Sequence, residues 1–498
     1  MAAVALAGRA EVPAALSGLK LEASVEATAG SGDFAPLYMA SNRWGTLSSS
    51  DNVLLSAGAV RPMDSSRRFS YGYGLEVWGG FTSPVDYRRY DAAADSWGVN
   101  RRHPSRLWLQ QLYVELKWRS LTFSAGMRKE GSPIVSDRLS GGDLIRSANA
   151  RPIPGIRGGF IDYQPVPLTR GWLQISGELE YGRFADDGWW RDHSALYNGH
   201  VAGGEWMVYR RMHFRTDPGQ PMSVMFGAQC FSQFGGTTAY YRDGQLVAVD
   251  HRGHKFIDFI KILAPVEKGS EDFVLGNTLG TWDLKATLRL PDEYRLSGYF
   301  QWIWEDGSGM AKLNGWDGLW GIEFRSPDAD ALVGGAVIEY LDLTNQSGPI
   351  HWAPGDHPST SITSEATGAD DYYNNAYYNA YAYYGMGMGR ASVMSPIYNT
   401  DGYMAFTGNR MRGIHCGIDG RIGIVDYRLL AGWRKAYGNG FEALVPPPHS
   451  TSLMAEASMP LRSVQGLTVG LQAAFDRGRM PANATGMALR ITYNGLWK

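Results

Sequence analysis

Glu305 and Asp306, in the stretch EDGSG, are the first groups in this sequence whose types and spacing suit chemistry. Two carboxylates on either side of a glycosidic bond can act as acid and base, and their separation sets the stereochemical outcome. Asp283 sits on the preceding arm of what reads as a hairpin, and hairpin pairing would bring it near them. The plainer reading is an interior salt-bridge network in which Asp283, Glu305 and Asp306 meet Arg151, Arg289, Arg410 or Arg412. That reading is preferred, because a structural role explains the neighbouring Gly and Ser equally well. The stretch around Asn149, Arg151 and Pro152 could touch a sugar. It is expected instead to be an internal constriction, with Asn149 capping a turn and Pro152 and Pro154 stiffening the chain.

Binding chemistry is denser than catalytic chemistry. Seven tyrosines fall within residues 372–384. Tyr372, Tyr373, Tyr377, Tyr378 and Tyr381, interleaved with Asn374, Asn375 and Asn379, suit a sugar: rings stack on its C–H faces while amides and hydroxyls bond its edges. The same run suits an aromatic girdle at a membrane interface, and both readings stay open. Arg88 and Arg89, with Arg101 and Arg102 nearby, and Trp189, Trp190 and Arg191 lie on two other loop-like stretches. Guanidinium groups there would meet the carboxylates of an anionic polysaccharide, lipopolysaccharide phosphate, or only water. The ten histidines form no metal motif, and neither a P-loop nor a nucleophile elbow is present. No catalytic residue, metal or cofactor is therefore expected. Cys230 and Cys416 are too few for a disulfide framework, although one bridge between them is open.

The elements that position these residues are read from alternation. In residues 281–290 (TWDLKATLRL), Trp282, Leu284, Ala286, Leu288 and Leu290 share one face, opposite Asp283, Lys285, Thr287 and Arg289. After Pro291, Asp292 and Glu293 the pattern resumes, with Leu296, Gly298, Phe300, Trp302 and Trp304 on one side. Period-two patterns of about ten residues predict membrane-crossing β-strands. The unit recurs from residue 19 onward, at 53–60, 71–81, 108–118, 121–127, 172–181, 206–215 and 222–230. It returns at 319–324, 333–340, 412–421, 424–433, 452–459, 467–475 and 486–493, giving about eighteen strands. Residues 36–46, 83–105, 131–154, 189–193, 232–236 and 344–384 read as irregular, and residues 131–154 are expected at one mouth of the barrel or in its lumen. Residues 1–18 read as a signal-peptide remnant or flexible N-terminus, and residues 19–498 as a single barrel domain.

Composition agrees with an all-β transmembrane, antiparallel up-and-down barrel. Charged residues are 19% and aromatics 12%, with 62 glycines, while mean hydropathy is −0.26. No run of about 18 apolar residues exists, which excludes membrane helices. A formal net charge of −2 gives no footprint for nucleic acid. Two soluble sandwiches would also alternate, but the long strands carry no second apolar core. An open porin for sugars or other small solutes fits the same pattern.

Seven motifs are then seen in order. They are SNRWGT (41–46), SANARPIPG (147–155), GNTLGTWDL (276–284), QWIWEDGSG (301–309), IEYLDLTNQSGP (338–349), DYYNNAYYNAYAYYG (371–385) and GNRMRGIHCGIDGRIG (408–423). Together they resemble the Wzi family of capsule assembly proteins, in its Bacteroidetes-type members. The resemblance implies an integral outer-membrane barrel of a Gram-negative bacterium, with loops exposed at the cell surface. It also implies a non-enzymatic, lectin-like role in holding capsular or other surface polysaccharide. The implied partners are that polysaccharide, outer-membrane lipid and lipopolysaccharide, and the barrel-insertion machinery. The chain departs from the enterobacterial members in lacking an N-terminal helical segment, and in reading RRMHFR after Tyr209.

Overall fold

Period-two alternation becomes a closed wall. The computed structural model describes residues 18–253, 255–263, 276–347, 351–352, 366–367 and 370–497. The expected signal remnant falls almost wholly outside them. The barrel strands are β1 (Leu19–Ser31), β2 (Asn52–Arg61), β3 (Phe69–Thr82), β4 (Leu107–Trp118), β5 (Leu121–Met127) and β6 (Gly155–Pro165). They continue with β7 (Leu173–Arg183), β8 (Trp206–Thr216), β9 (Met222–Phe234), β10 (Asn277–Arg289), β11 (Arg295–Trp304) and β12 (Gly318–Arg325). The remainder are β13 (Gly335–Asp342), β14 (Arg410–Ile422), β15 (Val425–Gly438), β16 (His449–Pro460), β17 (Leu467–Gly478) and β18 (Ala484–Trp497). Each pairs antiparallel with the next. β18 returns to β1 in a ladder from Leu19↔Trp497 to Ser31↔Thr485, so no edge is left open.

The two faces of each strand are buried in the reverse sense of a soluble protein. Polar side chains point inward and are covered: Glu26 is 2% exposed, Gln301 0% and Glu339 1%. Apolar ones point outward and are bare, as Leu55 at 53% and Ile322 at 55%. An apolar outer belt around a polar interior is stable only where lipid covers the belt. On that belt Phe300 stacks on Trp320 at 3.9 Å, and Trp302 and Trp316 stack at 6.0 Å. These rings supply aromatic surface at one end of the wall. Connections after even-numbered strands are short, down to two residues at Arg119–Ser120 and Gly423–Ile424, whereas the extended ones follow odd-numbered strands. The barrel therefore has a short-turn end and a long-loop end.

Three of the long connections do not stay outside. Residues 33–50, 131–154 and 370–409 lie against inward-facing side chains of strands around the wall. Ile134, Leu139, Leu144 and Ile145 pack with Tyr372, Tyr381 and Phe406 from one connection and with Tyr209, Tyr299 and Met411 from the wall. Leu37, Tyr38 and Met39, on a four-residue helix Leu37–Ala40, pack with Leu54, Trp78 and Trp108. The backbone of residues 131–154 forms no strand or helix, so side chains of the segment itself, of the neighbouring interior segment and of the wall satisfy its polar groups. Lys285 Nζ donates to Ile134 O at 2.8 Å, and the Leu144 amide donates to Gln301 Oε1 at 3.2 Å.

Several expectations need correction. β6 carries a weak pattern, because glycines at 155, 158 and 159 and a register shift after Phe160 blur its alternation. Residues 83–105 are not a plain loop but contain a hairpin, Val85–Asp91 with Ser96–Arg102. Trp189 to His193 belong to a short helix, Asp187–His193. The polar stretch at 232–236 continues β9 as far as Phe234. A further hairpin, Gly236–Arg242 with Gln245–Arg252, follows it. Residues 36–46, read as a polar interruption, are largely buried. Of the irregular region 344–384, residues 348–350, 353–365 and 368–369 lie outside the described residues. Cys230 and Cys416 are both free thiols.

Candidate functional site

Interior charge comes first, because it fixes everything above it. The network expected from the sequence does not form. Register pairs Asp283 with Gln301, which leaves Glu305 four residues, about 13 Å, further along the strand direction. Asp283 accepts from His213 Nε2 at 2.8 Å and Thr281 Oγ1 at 2.9 Å. Both Glu305 oxygens are taken by backbone amides, of Asp371 at 3.0 Å and Tyr373 at 3.1 Å. Burial, with Asp370 and Asp371 close by, pushes its carboxyl well above the usual range. Asp306 caps the short helix Gly307–Met310, accepting from the Ser308 amide at 2.8 Å. Each of these carboxylates is thus held by protein groups of its own rather than by another of the three.

The four arginines also go elsewhere. Arg289 donates to Pro218 O at 3.0 Å, Arg410 to Thr344 O at 2.8 Å, and Arg412 to Asp342 at 2.9 Å. Arg151 sits between two rings. The ion pairs that join interior segments to the wall are others. Arg390, on the third interior segment, meets Glu339 of β13 at 2.7 Å. Arg43, on the first, meets Glu26 of β1 at 2.7 Å. Arg146, on the second, meets Glu180 of β7 at 2.7 Å. The signal for these was in the sequence, as acidic residues on the polar faces of strands, but spacing along one strand does not name a partner on another segment. Asn149 does not cap a turn. Its side-chain amide donates to Gly387 O at 2.9 Å, tying two interior segments together.

The tyrosine run is not an open platform. Both expectations for it, sugar stacking and interfacial girdle, need exposed rings. Tyr372, Tyr373, Tyr378 and Tyr381 are buried, and only Tyr377, at 46%, is exposed. Tyr381 and Tyr373 instead donate to the carbonyls of Ile145 and Leu144 at 2.8 and 3.1 Å. Asn374 Nδ2 donates to Phe406 O at 3.0 Å. The Arg252 guanidinium lies over Tyr377 at 4.8 Å.

At the long-loop end the two charged stretches join. Arg89 of the 85–102 hairpin donates to Arg191 O at 2.7 Å, and Arg102 pairs with Asp192. Arg88 covers the Trp97 ring at 4.5 Å and remains exposed, as does Arg191. Trp190 is buried in the core, while Trp189 stacks on His193 at 4.1 Å. Between hairpin, helix and interior segments lies a cavity of about 210 Å³. Its aromatic lining is Trp108, Trp189, Tyr383 and Tyr384, and its polar lining includes Asn52, Arg102, His103 and Arg151. Burial pushes His193 down to about 4, so it is neutral at neutral pH. Its Nδ1 is 2.8 Å from Trp189 O and must donate there, which leaves Nε2 as an acceptor. Tyr384 closes the tyrosine run noted in the sequence, whereas Trp108 and Ser105 were not singled out there, because they become its neighbours only when the interior segments meet β4.

Closure, strand number and the outer apolar belt together define the fold of an outer-membrane β-barrel. No protein-family model and no curated protein matches the chain at the level of sequence. Among solved structures the chain is similar to Wzi of Escherichia coli, described as an outer-membrane protein involved in group 1 capsule assembly and a carbohydrate-binding β-barrel. That likeness has a TM-score of 0.53 at 13% identity, over 96% of this chain and 85% of the other. OccAB2 of Acinetobacter baumannii aligns with a TM-score of 0.46 at 8% identity, over 98% and 100% of the two chains. OprD of Pseudomonas aeruginosa aligns at 0.44 and 7%, over 97% and 95%.

Proposed function

We propose that this chain is a Wzi-type, non-enzymatic, lectin-like barrel of the outer membrane. Its long-loop end would face the cell exterior, hold surface polysaccharide, and support assembly or attachment of a capsule or exopolysaccharide layer. The observation that carries this is the cavity of about 210 Å³ at that end. It combines flat aromatic faces with a few polar groups, which is the lining a pyranose needs. The interior segments support the reading, because chain tied to the wall by ion pairs would constrict a solute path. Lipid and lipopolysaccharide against the apolar belt, and the machinery that inserts such barrels, are the other partners of this reading. The test is binding of the host's surface polysaccharide to the purified protein. Saturable binding is expected, weakened several-fold by Trp189→Ala and untouched by Tyr377→Ala, since stacked rings contribute about 0.5–1.5 kcal/mol. Absence of saturable binding counts against the proposal.

A channel for small solutes is the second reading. It has its own observation, a basin of about 500 Å³ at the short-turn end with Arg215, Lys285, Arg289 and Arg295 in its lining. Such a basin suits entry of anions, and conductance distinguishes the two readings.

A further inference from the structure

Buried cations of the interior are neutralised with few exceptions. Arg43, Arg146 and Arg390 meet carboxylates as described, and Arg157 and Arg211 meet Glu130 and Glu178 at 2.8 and 3.0 Å. Arg434 has Asp476 near it but no carboxylate of the described residues within ion-pair distance, and carbonyl oxygens of Ser392 and Met480 accept from its two Nη groups. Arg151 is different. Among the described residues no carboxylate lies within ion-pair distance of it. Asp186 is the acid nearby, and that side chain accepts the Tyr384 amide at 2.7 Å.

The geometry around Arg151 leaves one direction free. Its guanidinium carbon lies 4.6 Å from the Trp108 ring centre and 4.5 Å from that of Tyr384. Two rings this close to the guanidinium narrow the approach to it. In the plane, Nη1 donates to Ser105 Oγ at 3.2 Å and Nε to Gly45 O at 3.5 Å. Nη2 has no partner among the described residues. Burial lowers the group to about 10, against the pull of Asp186, so it keeps its charge at neutral pH with no carboxylate of the described residues in ion-pair contact. A planar fork open at one edge is matched by a planar carboxylate, which would pair the charge in the plane. The residue lines the same 210 Å³ cavity as Trp189 and His193, a space on the scale of one sugar ring.

We propose that this cavity is a subsite for an acidic sugar residue, with Arg151 binding the sugar carboxylate in its plane and the aromatic wall receiving the ring. This rests on the polysaccharide reading above, and it names the class of polymer: one carrying uronic acids or similar carboxylated sugars. Arg102 cannot take this role while Asp192 neutralises it, and the exposed Arg88 and Arg191 lie outside the cavity lining.

The test measures binding of the host's surface polysaccharide, native and carboxyl-reduced, to detergent-purified protein and to Arg151→Gln. Native polymer should bind wild type about tenfold or more tightly than reduced polymer, the worth of one charge-assisted bidentate contact. Arg151→Gln should bring the native polymer down to the reduced level, and sodium glucuronate should compete where inorganic phosphate does not. Equal, saturable binding of both polymers would overturn the acidic subsite and leave the polysaccharide reading standing. No binding of either polymer would remove both. Competition by phosphate as strong as by glucuronate would overturn the carboxylate assignment. The wild-type comparison of the two polymers decides the matter even if the variant does not fold.

Discussion

At the scale of single residues, stability is set by buried charges that have found partners. Glu339 accepts from Arg390 at 2.7 Å, the Tyr299 hydroxyl at 2.6 Å, Ser140 Oγ at 2.5 Å and the Gly141 amide at 3.0 Å. Four donors on one buried carboxylate leave it no alternative partner. Arg390→Ala should therefore cost about 3–5 kcal/mol, the loss expected when one buried charge is orphaned. Glu339→Gln combined with Arg390→Met should cost far less, because neither charge remains. Urea unfolding in lipid vesicles measures both. Asp137 gives a pH dependence. Burial raises its carboxyl from 3.8 to about 6. Between those values the folded chain keeps a proton that the unfolded chain has lost, so stability falls as pH rises through that window. Asp137→Asn should consequently stabilise the protein at pH 7 and leave it unchanged near pH 4, measured by urea midpoints at the two values. Equal effects at both would show that Asp137 titrates normally.

At the scale of elements, alternation alone told strand from loop, and it did so for all but one wall strand. Seventeen are legible because lipid outside and water or polar groups inside impose opposite demands on neighbouring residues. β6 is the exception. In GIRGGFIDYQP only Ile156 and Phe160 mark the outward face, with Gly158 between them and Gly155 and Gly159 on the inward side, and pairing with β5 and β7 holds the strand. Illegible for a different reason were the segments inside the barrel. Residues 33–50 and 370–409 are aromatic and apolar yet aperiodic, since their partners come from every side rather than from one face. The cavity at the long-loop end inherits that blindness: Arg102 and Trp189 drew attention by type, whereas Trp108 and Tyr384 become part of it only through contacts with Arg151. The outward face yields its own prediction. Phe226, Leu284, Phe300 and Trp320 lie in register across β9 to β12, and Leu284 is 49% exposed. Leu284→Arg should cost about 2–4 kcal/mol, since a charge is set in the apolar belt. Thr287→Lys, on the inward face beside the open basin, should cost under about 1 kcal/mol, as lumen-facing substitutions act on selectivity more than stability. Similar costs at both positions would contradict the assignment of faces.

At the scale of the whole molecule, the question is why a barrel wide enough for a channel carries so much chain inside it. Eighteen strands enclose more space than side chains from the wall can fill. Here three connections enter that space, and each is fastened by a buried ion pair to a different strand: Arg43 to β1, Arg146 to β7 and Arg390 to β13. They also hold one another. Ser147 donates to Gly389 O at 2.6 Å, and Asn42 to Ser140 O at 3.0 Å. Such cross-bracing opposes movement of any one segment alone. A binding site gains from that rigidity, because less ordering remains to be done when the ligand arrives. A gated channel would gain nothing from it. Purified protein in a planar bilayer should accordingly show little or no steady conductance. Loosening the segments should change this: Arg146→Ala combined with Arg390→Ala removes two of these ion pairs and should produce flickering conductance without loss of the barrel, followed by heat-dependent migration on gels. A large steady conductance in the unaltered protein would reverse the ranking of the two functions, and the basic basin at the short-turn end would then be the mouth of an anion pathway.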